Sequence, residues 1–226
     1  MEVKGICNIC GNVGILHTCR LCGRLVCGEC YIPAAGLCRI CYKKPGRRIK
    51  NINDKDMLIN LFKEKNVVKF GNFTLSSGKK SNYYINVKGA ITYPKILKIL
   101  TNIIVKKIKD LDIQKIAGPA VGAIPIITAV SLKANIPFVI IRKKKKKYGT
   151  SKLVEGDLSK NDKVVVIEDV TTTGNSLLRS IRIIEDAGAK VERAIVVVDR
   201  GEGAIEKFKK EGIKLDVILT ADELMD

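Results

Sequence analysis

The sequence predicts an α/β fold, a parallel sheet flanked by helices, preceded by a small metal-binding module. Three observations carry this. Downstream of Pro94, short apolar runs alternate with segments of helical period, as parallel strands joined by helices require. All eight cysteines fall within the first 41 residues. Farther on, Lys163 to Ser176 reads K-V-V-V-I-E-D-V-T-T-T-G-N-S, an apolar run that ends in two carboxylates and a hydroxyl-rich loop. With 226 residues and 46% hydrophobic content, the chain has room for one ordinary domain and a module. The expected division is 1–45 for the eight-cysteine zinc-binding module, 46–55 for a basic linker and 56–226 for the main domain.

The cysteines form four C-x2-C pairs: Cys7/Cys10, Cys19/Cys22, Cys27/Cys30 and Cys38/Cys41. Such a knuckle presents two thiolates at the reach of tetrahedral zinc, and a reducing compartment disfavours the disulfide alternative. Two closed four-cysteine sites, structural rather than catalytic, are the natural count. The short gap between Cys22 and Cys27 favours an interleaved pairing. Cys7, Cys10, Cys27 and Cys30 then hold one ion, and Cys19, Cys22, Cys38 and Cys41 the other; two sequential ribbons are the competing arrangement. His17, the only histidine, is a spare ligand or, better, a supporting group beside completed sites. A module this small cannot bury enough hydrocarbon to fold without metal. Lys43 to Lys55 combines Pro-Gly with a basic cluster and no apolar period, so it reads as a linker, either a solvated spacer or a contact for RNA or DNA.

In the main domain, Asp54 or Asp56 is expected to cap a helix whose Met57, Leu58, Leu61 and Phe62 share a face. Two short strands follow, Val67–Leu75 and Tyr83–Val87. Pro94–Lys109 is a helix with proline in its first turn. Then come a strand at Ile116-Ala117, a helix over Ala123–Lys133, and strands at Phe138–Ile141 and Val164–Ile167. A helix over Leu177–Ala187, a strand at Ala194–Val198, a helix over Ala204–Lys210 and a strand at Leu215–Leu219 complete the pattern.

The apolar run Val164–Ile167 reads as a buried parallel strand, which places Asp169 to Asn175 at its carboxyl end, where open α/β sheets bind ligands. Backbone N–H groups and threonine hydroxyls there can wrap a phosphate at the start of the next helix. Glu168 and Asp169 have the wrong charge for phosphate and suit sugar hydroxyls or a bridging Mg2+, so the site looks built for a ribose phosphate. The A-G-P-A-V-G-A-I-P stretch, with its small residues, lets backbone amides approach an anion closely. Arg142 to Lys147 is a run of six cations.

These segments resemble the type I phosphoribosyltransferases, and their flanks narrow the resemblance to the orotate phosphoribosyltransferase family. Lys163 to Ser176 resembles the phosphoribosyl-pyrophosphate (PRPP) motif. Phe73 to Lys88, F-T-L-S-S-G-K-K-S-N-Y-Y-I-N-V-K, resembles the family's N-terminal signature. Arg142 to Gly156 resembles its mobile catalytic loop, and Val198 to Gly203, V-D-R-G-E-G, the strand end with its orotate-binding arginine. The resemblance implies that Arg142, Lys143 and Lys146 meet PRPP or the leaving pyrophosphate. It implies further that Glu168 and Asp169 hold the ribose and that Val170, Thr171, Thr172, Thr173, Gly174, Asn175 and Ser176 cradle the 5-phosphate. Lys146, Asp169 and Glu168 are its implied catalytic residues, Thr172 and Arg200 its orotate contacts. Mg2+ travels with PRPP, and a homodimer with a shared active site is expected because loop lysines reach the neighbouring subunit. Tyr148, Ser76 and Gly122 depart from residues common in the family, which bears on pyrophosphate contacts. The cysteine segment resembles the FYVE and related treble-clef fingers, but Ile15 to Arg20 lacks their basic patch and aromatic tip, so no phosphoinositide contact is expected.

The formal charge is +18, and two four-thiolate zinc sites at about −2 each would lower it to about +14. That balance fits anionic nucleotides as well as nucleic acid. No apolar run is long enough to span a bilayer, and M-E-V-K-G-I-C lacks a signal peptide's apolar segment, so a soluble cytoplasmic protein with no membrane contact is expected. The rival reading is a PRPP- or nucleotide-sensing regulator that binds nucleic acid through the zinc module. A weaker one is an enzyme acting on another base. The loop lysines together with Arg200 favour the orotate enzyme, since a carboxylate acceptor calls for an arginine fork.

Overall fold

The computed structural model describes residues 4–43, 53–74, 78–142 and 153–225. The chain divides into two units, Met1–Asn51 and Ile52–Asp226. In the first, β1 (Lys4–Ile6), β2 (Val13–Thr18) and β3 (Leu25–Cys27) form an antiparallel sheet in that order. The pair β4 (Tyr31–Ile32) and β5 (Leu37–Cys38) leads into the short helix α1 (Arg39–Lys43). The two leading C-x2-C pairs fold alike. Cys7 N–H donates to the Asn12 carbonyl at 2.8 Å and Gly11 N–H returns to the Cys7 carbonyl at 3.0 Å. Cys19 and Arg24, and Gly23 and Cys19, repeat this at 2.9 Å each. Gly11 and Gly23 sit at φ of 76° and 70°, the left-handed region, which is why a glycine follows each second cysteine. The core of this unit is mostly sulfur, with Val26 and Leu37 its buried aliphatic residues.

The second unit opens with α2 (Asp54–Glu64), which buries Leu58, Leu61 and Phe62. Its cap is Asn53, not Asp54 or Asp56 as expected from sequence: the Asn53 side chain accepts the Asp56 N–H at 2.8 Å. The helix begins at Asp54, so Asn53, still extended at φ −62° and ψ 160°, is the flanking residue whose oxygen reaches the amide in the first turn, while Asp54 and Asp56 are already inside the helix. The helix also claims the end of the expected 46–55 linker, whose residues 46–52 lie outside the described ones.

Strands β6 (Val68–Thr74) and β7 (Lys80–Ile85) pair antiparallel as a separate two-stranded sheet. Val87, expected in a strand, instead begins α3 (Val87–Ala90), capped by Asn86, whose side chain accepts the Gly89 N–H at 3.1 Å. Of the remaining elements the sequence predicts α4 (Pro94–Ile108), β8 (Lys115–Pro119), α5 (Ile124–Ala134), β9 (Phe138–Ile141), β11 (Lys163–Thr171), α6 (Asn175–Asp186), β12 (Lys190–Asp199), α7 (Ala204–Lys210) and β13 (Leu215–Thr220), while β10 (Val154–Glu155) and α8 (Ala221–Met225) are additions.

The main sheet runs β10-β9-β8-β11-β12-β13, parallel except for β10, an edge strand that the sequence did not announce. Alternate residues of its strands face two separate cores. Val165, Ile167, Ile195 and Val197 pack with α2, α4 and α5, while Val164, Val166 and Ala194 pack with α6 and Phe208 of α7. Helices therefore cover both faces, which is why the central strands are apolar throughout. Strand β11 also runs past Ile167 to Thr171, held by Glu168 against Val196, Val170 against Val198 and Thr171 against Asp199. Glu168 to Thr171 are thus strand rather than loop. The ladder to β12 continues the strand where the apolar pattern stops. No described helix is long and apolar enough to cross a membrane.

Candidate active site

A cavity of about 430 Å³ opens at the carboxyl end of β11. Glu168, Asp169, Val170, Thr171, Thr172, Thr173, Gly174, Asn175, Ser176 and Arg200 all line it. The predicted ribose, phosphate and acceptor residues therefore meet in one place. Both carboxylates are largely withdrawn from water, Glu168 at 8% exposure and Asp169 at 7%. Gly174, at φ 80° with Phe208 beneath it, ends the loop and begins α6, so Asn175 and Ser176 lie in the first helical turn. There the open backbone N–H groups favour an anion. The Asn175 side-chain oxygen also accepts from Lys207.

Arg200 reaches the same cavity from β12. The register aligns Thr171 with Asp199, and the Arg200 N–H donates to the Thr171 carbonyl at 3.0 Å. Thr172 and Arg200 consequently leave adjacent strands side by side. Arg200 is 8% exposed, and its guanidinium carbon lies over the Tyr83 ring, 4.1 Å from the ring centre. Its Nε donates to Glu202 at 3.2 Å and its Nη2 to the Ser81 hydroxyl at 2.9 Å. Burial pushes the neighbouring Asp199 carboxyl up, against hydrogen bonds from the Gly201 and Arg200 N–H groups.

Gly122 has a geometric reason. A Cβ there would stand 2.2 Å from Asp169 Oδ2, so no side chain can share that space with the carboxylate. Arg142 is placed differently from the other predicted residues. It pairs with Glu155 at 2.9 Å and lines a neighbouring cavity of about 320 Å³, which shares Asn175 and Ser176 with the first. Lys143 and Lys146, with Ser76, Tyr148 and the remaining loop lysines, lie outside the described residues.

In the first unit the cysteine sulfurs gather into two sets, Cys7, Cys10, Cys27 and Cys30, and Cys19, Cys22, Cys38 and Cys41, each within 4.8 Å. This is the interleaved grouping rather than the sequential one. The Cys10–Cys27 and Cys22–Cys38 sulfurs are 3.6 and 3.8 Å apart. Tetrahedral zinc with bonds of about 2.3 Å would set ligand sulfurs about 3.8 Å apart, so the donors fit that ion. Burial and neighbouring sulfurs push Cys30 and Cys41 up to about 12. Burial also opposes ionisation of Cys7 and Cys19, but backbone N–H groups outweigh it and bring both down to about 6. For all four sulfurs of a set to ionise so close together, a cation is needed. His17 is not in either set; it stacks on Tyr31 with ring centres 4.7 Å apart.

Residues 89–221 match the phosphoribosyl transferase domain family. The orotate phosphoribosyltransferase of Methanosphaera stadtmanae is 55% identical over 169 residues, covering 75% of this chain and 95% of the relative. That of Methanocaldococcus jannaschii is 50% identical over 173 residues, 76% of this chain and 98% of the relative. The chain belongs to the orotate phosphoribosyltransferases. The crystal structure of the orotate phosphoribosyltransferase from Aeropyrum pernix superposes with a TM-score of 0.67 at 33% identity, over 75% of this chain and 96% of that one. The Mycobacterium tuberculosis orotate phosphoribosyltransferase in complex with PRPP gives 0.62 at 29%, over 76% and 99%.

As in other orotate phosphoribosyltransferases, the reaction passes the 5-phosphoribosyl group of PRPP to orotate, giving orotidine 5′-phosphate and pyrophosphate. The domain match lies wholly within the second unit. Four residues that sequence reasoning did not assign to the site also line the cavity: Thr74, Tyr84 and Ile85 of the β6–β7 hairpin and Lys88 of α3. The signal was available, since all four fall inside the Phe73 to Lys88 signature, but only the folded hairpin brings them against β11.

Proposed function

We propose that the 430 Å³ cavity is the active site of this orotate phosphoribosyltransferase and that its lining residues carry the roles their chemistry suggests. The observation that carries this reading is the convergence of Glu168, Asp169, the threonine loop and a buried Arg200 on one cavity. Thr173 to Ser176 cradle the 5-phosphate with N–H and hydroxyl donors at the α6 terminus. Glu168 and Asp169 accept from the ribose hydroxyls and stabilise positive charge that develops on the ring as pyrophosphate leaves. Arg200 receives the orotate carboxylate, and Thr172 the adjoining part of the ring, aiming N1 at C1 of the ribose. Lys146, with Lys143 and Arg142, stabilises the departing pyrophosphate. Because loop lysines of this kind serve the neighbouring subunit, we propose a homodimer with shared sites.

The all-oxygen donors of Glu168, Asp169 and the threonines fit a hard dication. Mg2+ bound with PRPP would neutralise pyrophosphate charge. In the first unit, the two cysteine sets would hold two structural Zn2+ ions, and thiolate ligands of this kind accord with a cytoplasmic setting. The regulator reading, with nucleic acid on the zinc module, rests on a basic linker that falls largely outside the described residues.

The test is the fall of orotate absorbance with PRPP and Mg2+, comparing intact zinc-loaded protein with Lys146→Ala. We expect turnover by the intact chain and a fall of about a hundred-fold or more in the variant. Turnover undiminished in Lys146→Ala would remove that lysine from the mechanism. No turnover by the intact chain would sink the assignment and favour the regulator.

A further inference from the structure

Resting on the reading of Arg200 as the orotate-carboxylate ligand, we infer that Glu202 and Ser81 are positioning residues that brace its guanidinium and set the affinity for orotate. An arginine side chain carries rotamer entropy that a substrate must overcome unless the protein has already fixed the fork. Here it is fixed from three sides. Glu202 takes Nε at 3.2 Å, Ser81 takes Nη2 at 2.9 Å, and the Tyr83 ring centre lies 4.1 Å from its carbon.

The positions of the partners give the brace its direction. Arg200 lines the cavity, whereas Ser81, Tyr83 and Glu202 do not, so they hold the guanidinium from outside and do not occupy the substrate's place. Both positioning groups are themselves held. Lys79 bridges the second oxygen of Glu202 at 3.3 Å. The Ser81 hydroxyl donates to the Tyr83 carbonyl at 2.8 Å, and its oxygen accepts the Tyr83 N–H at 3.3 Å. Ser81 and Tyr83 belong to β7 and Lys79 precedes it, while Glu202 follows β12. The acceptor arginine is therefore the joint between the hairpin and the parallel sheet. Its aim depends on a carboxylate two residues away and a hydroxyl 119 residues away.

The test is steady-state kinetics in the full-length protein for Arg200→Ala, Glu202→Ala, Glu202→Gln, Ser81→Ala and the double variant Arg200→Ala/Glu202→Ala. Losing one hydrogen bond to the charged fork should raise KM for orotate about ten-fold in Glu202→Ala and Ser81→Ala, with KM for PRPP within about two-fold. Glu202→Gln, whose amide oxygen can still accept from Nε, should recover most of the loss. The double variant should be no worse than Arg200→Ala alone, because the brace acts only through the arginine. A purely structural role would raise both KM values and make the losses add, and that result overturns the inference. Unchanged orotate KM in Glu202→Ala and Ser81→Ala, beside a raised one in Arg200→Ala, also overturns it and leaves the Arg200 assignment standing. An unchanged orotate KM in Arg200→Ala overturns both.

Discussion

At Gly122 the fold supplies a reason for a residue without a side chain: the Asp169 carboxylate occupies the space a side chain would need. Replacing Gly122 with alanine should displace that carboxylate and lower kcat/KM by about ten-fold or more, with little change in melting temperature, as steady-state kinetics beside thermal unfolding would reveal. Kinetics indistinguishable from the parent would mean Asp169 can yield. Individual residues of the site were legible to different degrees. Glu168, Asp169 and the threonines could be read directly, because paired acids before a hydroxyl-rich loop have few other uses. Lys88 and Tyr84 could not, since nothing in a surface lysine or a strand tyrosine reveals that a hairpin folds toward β11.

Among the elements, legibility followed length and apolar period. Helix α7 and strand β9 lie where the pattern put them, each bounded by its own local signals. Strand β10 has two residues and exists only through its pairing with β9, information that no local window contains. The same holds for the far end of β11, where ladder pairing to β12 carries Glu168 and Asp169 into the sheet. Helix α2 illustrates a finer limit: the sequence offered Asp54 or Asp56 as the cap, and only the point at which the backbone turns helical selects Asn53. Asn53→Ala should therefore cost about 1 kcal/mol in denaturant unfolding, while Asn53→Asp should cost little. Equal losses for both would argue that the cap contributes nothing through its side-chain acceptor.

For the whole molecule, the division at Asn51 predicts independence. Removing residues 1–51 should leave orotate turnover within about two-fold of the full chain, because the cavity lining among the described residues lies in the second unit. A loss of activity well beyond that would tie the cysteine unit to catalysis. Metal analysis of the full chain should give about two zinc ions, and a zinc-selective chelator, with Mg2+ kept in excess, should unfold the first unit while turnover persists. About one ion per chain would contradict paired four-sulfur sites. The interleaving of those sites has a hereditary consequence. Each set of cysteines encloses part of the other along the chain, so a gene break after Cys30 would complete one set and strand Cys19 and Cys22 without partners. A sequential pair of ribbons could be halved and still leave a working half. This unit can be gained, exchanged or lost by genes only as one indivisible block.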